Sequence, residues 1–320
     1  MPTILESIKP VIDNSQNVTI NQTAIIKFAD QVQESDFQQI HLLIDMFNWG
    51  FSEEELIAFI IILEALNFSY WGDPKWTVAI NDNQYDGFYG MFYSLKRAKD
   101  KGYPILTADY LANLPENDLK DIWQGNTAIP LFKERWQMLK ELGQIVTEKF
   151  SSNFKQIIEQ GEWDAIKIVQ ILSQEFSIVF NDIAEYKGKT IKFYKRAQLV
   201  PASLLELHEL GLLKNKVSNI DQLTAFADYK VPQALRKLGI TEYTDDLANK
   251  VDNLIEITSG SEEEIEIRAN TIWAIELITQ KLKNKFPDIC AAKVDELIWL
   301  SGQNKSPDDK PYHRCRTVWY

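Results

Sequence analysis

The chain has 320 residues, 45% of them hydrophobic, and carries a formal charge of −12. That length can bury a sizeable core as one large domain or two modest ones, and that charge argues against a protein that clamps long nucleic acid, which needs a net basic footprint. Two cysteines, Cys290 and Cys315, and three histidines, His41, His208 and His313, offer no metal-ligand spacing, so no structural metal is expected and the cysteine usage fits a reducing cytosol.

Residues 1–17 alternate polar and apolar positions without the apolar stretch of a secretion signal. Apolar residues then recur three and four apart over Thr23–Val32 and Phe37–Met46, which predicts helices. A capping box, Ser52-Glu-Glu-Glu55, opens the most apolar run, Leu56–Phe68. That run is too short to span a bilayer and is broken by Glu64, so it reads as a buried helix. A carboxylate there must be paired, protonated or at a cavity. Glu64 suits the N1–H and amine edge of a guanine-like base, and equally a partly exposed group answered by an arginine.

The clearest β pattern follows. Trp76–Ile80, a polar turn Asn81–Gln84 and Tyr85–Tyr89 predict a hairpin, and Gly90–Lys101 resumes helical spacing until Gly102 and Pro104 end it. Aromatic residues are dense from Phe68 to Tyr93; most are expected in the core, one or two as a platform for a flat base. Helices are predicted over Leu131–Phe150 and Trp163–Phe176, and a second hairpin over Tyr186–Phe193. The Lys–Gly–Lys–Thr string within it lacks the upstream glycine of a P-loop. Tyr194-Lys-Arg-Ala-Gln198 leads into a helix carrying Pro201. Lys195 and Arg196 near its start suit a phosphate monoester, and also ordinary solvated surface.

In Leu223–Ile240, Asp228 lies between Phe226 and Tyr229, four residues before Pro232. Proline is tolerated in the first turn of a helix, Leu235 and Leu238 continue helical spacing, and Gly239 stops it. Asp228 is therefore expected on a short connection between two helices, where free N–H groups favour an ionised carboxylate. Such a group between aromatic walls suits a cationic transition state; a helix cap beside a core phenylalanine fits the same residues. A short helix near Asp245–Ile255 and a linker at Thr258–Gly260 come next. A second capping box, Ser261-Glu-Glu-Glu264, starts an amphipathic helix to about Lys285, and a helix near Ala291–Leu300 carries Asp295 and Trp299. The closing Tyr312–Tyr320 is too aromatic for a disordered tail and is expected to pack back on the body.

Five blocks stand in order from about residue 47 onward. They are Leu66-Asn-Phe-Ser-Tyr-Trp71, Phe193-Tyr-Lys-Arg-Ala-Gln198, Phe226-Ala-Asp-Tyr-Lys-Val-Pro-Gln233, Glu266-Ile-Arg268 with Trp273, and Pro311-Tyr-His-Arg-Cys-Arg-Thr-Val-Trp-Tyr320. Together they resemble the queuosine salvage proteins, the queuosine 5'-phosphate N-glycosylases. The resemblance implies hydrolysis of queuosine 5'-monophosphate to queuine and ribose 5-phosphate, for salvage of queuine into tRNA modification. A 7-deazapurine lacks N7, so the protonation that helps a purine depart is absent and catalysis leans on a carboxylate and on contacts to the base. On that reading Asp228 stabilises the oxocarbenium-like state and Phe226 and Tyr229 stack. Glu64 with Asn67 takes the guanine-like edge, and Asp295 takes the secondary amine or diol. Lys195 and Arg196 take the phosphate, with His313 and Arg314 as further candidates. The family pattern has a His near Asp45 and an Asp at the Glu64 position; Glu64 keeps the charge with one more methylene.

The fold expected is mainly α, a single domain over residues 1–320 with one or two small β-hairpins and room for two helical lobes around an active site. Its core is reminiscent of helix-hairpin-helix DNA glycosylases, whose hairpin loop is glycine-rich; Asn219–Val231 has no glycine. No cofactor, metal, nucleic-acid or membrane partner is expected, only a free nucleotide and queuine, in the cytoplasm. Two alternatives stay open on composition: a nucleic-acid glycosylase or binder of the helix-hairpin-helix type, and a non-catalytic helical interaction protein.

Overall fold

The computed structural model describes residues 3–37, 43–80, 82–302 and 309–320. The chain opens with α1 (Ile4–Asn14), β1 (Val18–Ile20) and α2 (Gln22–Gln31). Two 3-10 turns, Glu34–Phe37 and Ile44–Asn48, lead to α3 (Glu53–Ala65). The hairpin of β2 (Thr77–Ile80) and β3 (Asn83–Asp86) runs without a loop into α4 (Gly87–Asp100). Short helices α5 (Ala108–Ala112) and α6 (Glu116–Ile122) precede the long α7 (Phe132–Lys149), then α8 (Lys155–Gln160), α9 (Ala165–Glu175) and α10 (Ser177–Phe180). The second hairpin, β4 (Ile183–Tyr186) and β5 (Lys189–Lys192), turns at Lys187-Gly188, both left-handed, and feeds α11 (Lys195–Glu209). After it come α12 (Lys230–Lys237), β6 (Thr241–Tyr243), α13 (Asp245–Asp252), α14 (Glu262–Leu282) and α15 (Ala291–Ser301). The protein is mainly helical, and its sheets are three antiparallel strand pairs among the described residues.

Apolar side chains collect in two large clusters. One joins α3 to α4, α7, α9 and the inner side of α11. The other joins α1, α2, the β4–β5 hairpin, α12 and α15 around α14. α3 is apolar on every side after its Ser52 capping box, and Leu56 through Ala65 are all buried, as a central helix requires. α14 differs from the amphipathic helix expected. It is enclosed, and Glu264, Glu266 and Arg268 are buried within its first half.

Other expectations also change. The helix predicted over Phe37–Met46 lies partly outside the described residues, and its described ends are 3-10 turns. The first hairpin is shorter than predicted: β3 ends at Asp86, and Gly87–Tyr89 is already helix, which turns Phe88 and Tyr89 inward. The predicted turn residue Asn81 lies outside the described residues. The closing segment does pack back. Ser69 N donates to Tyr320 O at 2.8 Å, Ser69 Oγ to Thr317 O at 2.6 Å, and Arg316 Nη1 to Trp71 O at 2.9 Å. No helix among the described residues is long and apolar enough to cross a membrane.

Candidate active site

The apolar helix α3 ends in the interior, where the last carbonyls of a helix lack partners. Two buried arginines supply them. Arg135 donates to Leu66 O at 2.5 Å and to Phe68 O, while Arg196 donates to Ala65 O and Val179 O. Burial lowers them to about 10 and about 9 respectively, which leaves both charged at neutral pH and answering the negative end of the helix dipole. The fixture sets Glu64 in place. Glu64 is 2% exposed and accepts from Asn67 Nδ2 at 2.9 Å and Ser203 Oγ at 3.1 Å. Burial pushes its carboxyl above the ordinary range, against the Asn67 hydrogen bond and the Lys195 charge.

α11 begins at a turn gathered by Asp182. The Asp182 carbonyl accepts from Phe193 N and Tyr194 N at 3.0 and 3.2 Å, its carboxylate accepts from Lys195 N at 3.3 Å, and Tyr194 is left-handed (φ 50°). Successive residues of α11 then point different ways around its axis. Lys195 faces a cavity, Arg196 the core, and Gln198 reaches across to Thr224, whose amide its Oε1 accepts at 2.9 Å.

Residues 223–228 belong to no sheet or helix, so their backbone groups need other partners. Side chains provide them. Asp295 Oδ1 accepts from Phe226 N at 2.9 Å, and Arg268 Nε donates to Ala227 O at 3.4 Å. Asp228 closes the run, its Oδ1 accepting from Lys230 N at 2.7 Å and Val231 N at 2.9 Å at the start of α12. The two-helix connection expected around Asp228 is not formed. α11 ends at Glu209, and a 3-10 turn (Ile220–Gln222) and the extended run intervene, because Gln198, Asp295 and Arg268 hold that run straight.

Asp228, Lys195, Glu64 and Asp295 share the wall of one cavity of about 340 Å³, together with Asn67, Phe226 and Tyr229. Asp228 is thus a helix cap and a cavity group at once. Its Oδ2 makes no hydrogen bond among the described residues, so the cap leaves one oxygen available to a ligand. Lys195 is 5% exposed and donates to Asn67 O at 3.2 Å. Burial lowers its ammonium, and the charges of Asp228 and Glu64 oppose that fall. Asp295 is pushed up to about 8, first by burial and then by the charge of Asp228, so it keeps its proton at neutral pH and can donate as well as accept.

Three residues proposed from sequence lie off the cavity wall. Arg196 is 1% exposed, its Nη1 and Nη2 donate to Ala65 O and Val179 O in the core, and it does not line the cavity. His313 is buried with Nε2 3.2 Å from Tyr320 Oη, and burial first, with the Arg268 charge, pushes it down to about 3, so it is uncharged. Arg314 stands behind the wall, 5.6 Å from the ring of Trp71 and 3.9 Å from Asp73.

The cavity also draws on residues not singled out from sequence. Ser203 and Glu206 follow Lys195 and Leu199 along one face of α11, at steps of four, four and three that the sequence displays. Glu206 accepts from Leu43 N at 2.8 Å and is pushed up to about 7 by burial. Trp71 and Tyr312 sit in two of the blocks noted above, and Lys75 carried no signal of its own.

The chain matches the model of the family described as queuosine salvage protein over residues 47–320. A protein of Sphaerobacter thermophilus named queuosine 5'-phosphate N-glycosylase/hydrolase is 35% identical, covering 99% of this chain and 97% of its own length. Proteins of the same name from Mus musculus and Bos taurus are 30% and 28% identical, each over 98% of both chains. Matched by that family model over residues 47–320 and by a 35% identical relative along nearly its whole length, the chain belongs to the queuosine salvage protein family.

Proposed function

We propose that the protein is a hydrolase that cleaves the N-glycosidic bond of queuosine 5'-monophosphate, releasing queuine and ribose 5-phosphate. The observation that carries this reading is the Asp228 carboxylate, capped by two amides on one oxygen and set on the wall of a cavity that Asp295 also lines. The names of the similar proteins supply the substrate.

As the C1'–N9 bond breaks, its electron pair passes to the base and positive charge grows on the sugar. The open oxygen of Asp228 faces that charge, and the α12 N-terminus holds the carboxylate still, so no reorganisation is needed at the moment of reaction. Water adds its oxygen to C1', and the proton it loses balances the one gained by the departing base. Asp295 is expected from sequence to meet the secondary amine or diol; on this reading its raised carboxyl also suits it to donate to a base becoming electron-rich. Each oxygen of Glu64 retains a lone pair for the N1–H and exocyclic amine. Phe226 and Tyr229 stack on the base, and Lys195 offsets the gathered carboxyl groups.

The same reading has one domain of two helical lobes with the cavity between them, supported by the two apolar clusters and by lining residues drawn from both. The likeness to DNA glycosylases is then one of chemistry, a carboxylate facing a sugar, since the helical hairpin is not formed around Asp228. A free nucleotide as substrate goes with a cytoplasmic protein that needs no nucleic-acid partner. Incubation of purified protein with queuosine 5'-monophosphate tests the reading: mass spectrometry should detect queuine and ribose 5-phosphate in equal amounts. Folded protein that releases no queuine would refute it.

A further inference from the structure

We propose that the phosphate monoester of the substrate is held by Lys75 and Lys230 beside Tyr312, and not at the start of α11. This rests on the proposed hydrolysis for the identity of the nucleotide.

The start of α11 is unsuited to an anion. Lys195 is surrounded by the charges of Asp228 and Glu64 and the carboxyl group of Asp295, and Arg196 is spent on the core. A phosphate placed there would meet the charges of Asp228 and Glu64 as well as the Lys195 ammonium. Of the other cations on the cavity wall, Lys293 lies 3.8 Å from Glu209, and Glu206 and Glu296 line the same side, so that end is acidic.

Around Tyr312 the balance reverses. Lys230 Nζ lies 4.8 Å from the Tyr312 ring, and Lys75, Arg314 and Arg316 all act on its phenol electrostatically, with Asp86 as the opposing carboxylate. Lys75 reaches Asp86 at 2.8 Å yet its side chain is 43% exposed, open to an incoming ligand. Arg316 lies 3.4 Å from the ring of Trp71 and is tied to the Trp71 carbonyl, which fixes that wall. In a chain of net charge −12, the cations about this phenol, answered by Asp86, Asp73 and Glu256, make a place where a dianion is stabilised, and Lys75 and Lys230 are the two of them on the cavity wall.

The position also fits the sugar. The Lys230 amide binds Asp228 Oδ1, and the rings of Tyr229 and Tyr312 lie 4.9 Å apart, so Lys230 and the catalytic carboxylate share one turn of chain. A ribose 5-phosphate unit held there presents C1' to Asp228 while its base reaches toward Glu64.

The test compares queuosine 5'-monophosphate with queuosine on wild type, Lys75→Ala, Lys230→Ala and the double variant. Each single change should raise KM for the nucleotide about tenfold, as the loss of one charge-assisted contact does, and leave nucleoside hydrolysis within about twofold. Calorimetry with ribose 5-phosphate reads the same site without turnover: binding by the wild type should be lost in the double variant. Equal losses on nucleotide and nucleoside, or ribose 5-phosphate binding unchanged in the double variant, would overturn the assignment. A nucleotide-selective loss in Lys195→Ala alone would return the phosphate to α11. Failure of the wild type to release queuine, with ribose 5-phosphate binding still dependent on Lys75 and Lys230, would strike the reaction and spare the subsite.

Discussion

Arg268 faces Asp182 fork to fork, Nη1 to Oδ1 at 3.0 Å and Nη2 to Oδ2 at 2.5 Å, with each residue 1% exposed. The pair joins the two segments that carry the cavity's central charges. Asp182 holds the amide of Lys195, and Arg268 Nε holds the carbonyl of Ala227, the residue before Asp228. Both arginine contacts use the planar guanidinium in a way an ammonium cannot copy.

Arg268→Lys should therefore keep the charge and lose the alignment. The expected result is a melting temperature lower by about 5 °C and kcat lower by about tenfold, with KM within about threefold. Asp182→Asn removes the nearer of the two carboxylates that answer Arg268, leaving Glu264 at 3.7 Å, and should cost about 3 kcal/mol of stability. Steady-state kinetics and thermal melting check both. A kcat unchanged in Arg268→Lys would leave the pair a purely structural one.

Asp295 gives a pH signature. Its folded value of about 8 lies above that of an unfolded aspartate, so the protonated form is the one the fold favours. Its contribution to stability is complete below about pH 4 and is lost as pH rises through about 8. Asp295→Asn removes the ionising group, so the variant should gain in melting temperature relative to wild type between pH 5 and pH 8.5. If a neutral Asp295 donates to the leaving base, the wild-type rate also falls above about pH 8 and that limb disappears in the variant. A melting difference that does not vary with pH would contradict the assigned state.

Glu64→Gln tests the base edge. The amide keeps the volume and can still meet Asn67 or Ser203, so the melting temperature should move by less than about 3 °C. One of its two acceptors becomes a donor, and kcat/KM for the nucleotide should fall about tenfold or more. Full activity in this variant would remove Glu64 from recognition.

Removal of residues 316–320 takes the partners of Ser69 N and Ser69 Oγ and the Arg316 tie to Trp71. A drop in melting temperature of more than about 10 °C, or failure to express folded protein, is expected. Native-like melting after this truncation would show that the closing segment is not needed to hold residues 66–71.

Much of this arrangement is legible from residues and some is not. The Ser52 and Ser261 capping boxes, the Lys187-Gly188 turn and the Asp228-to-Pro232 spacing announce local structure, because caps and turns are set by their own side chains. The Thr3–Glu6 capping box that opens α1 is equally local. Arg196 and Arg268 show the limit. Their neighbours in sequence say nothing of the carbonyls and carboxylate they meet, which come from segments far along the chain. Lys195 and Arg196 look alike as a basic pair, yet one helical step sends them to a cavity and to the core. For the same reason the Tyr312 cations, drawn from residues 75, 230, 314 and 316, form no run in the sequence.

The central claim is that Asp228 stabilises the sugar cation. Single-turnover release of queuine by Asp228→Asn, measured with enzyme in excess over bound nucleotide, addresses it directly. The account predicts a rate lower by at least about a thousandfold with nucleotide binding retained within about tenfold. Release at near wild-type rate from the bound complex would contradict it.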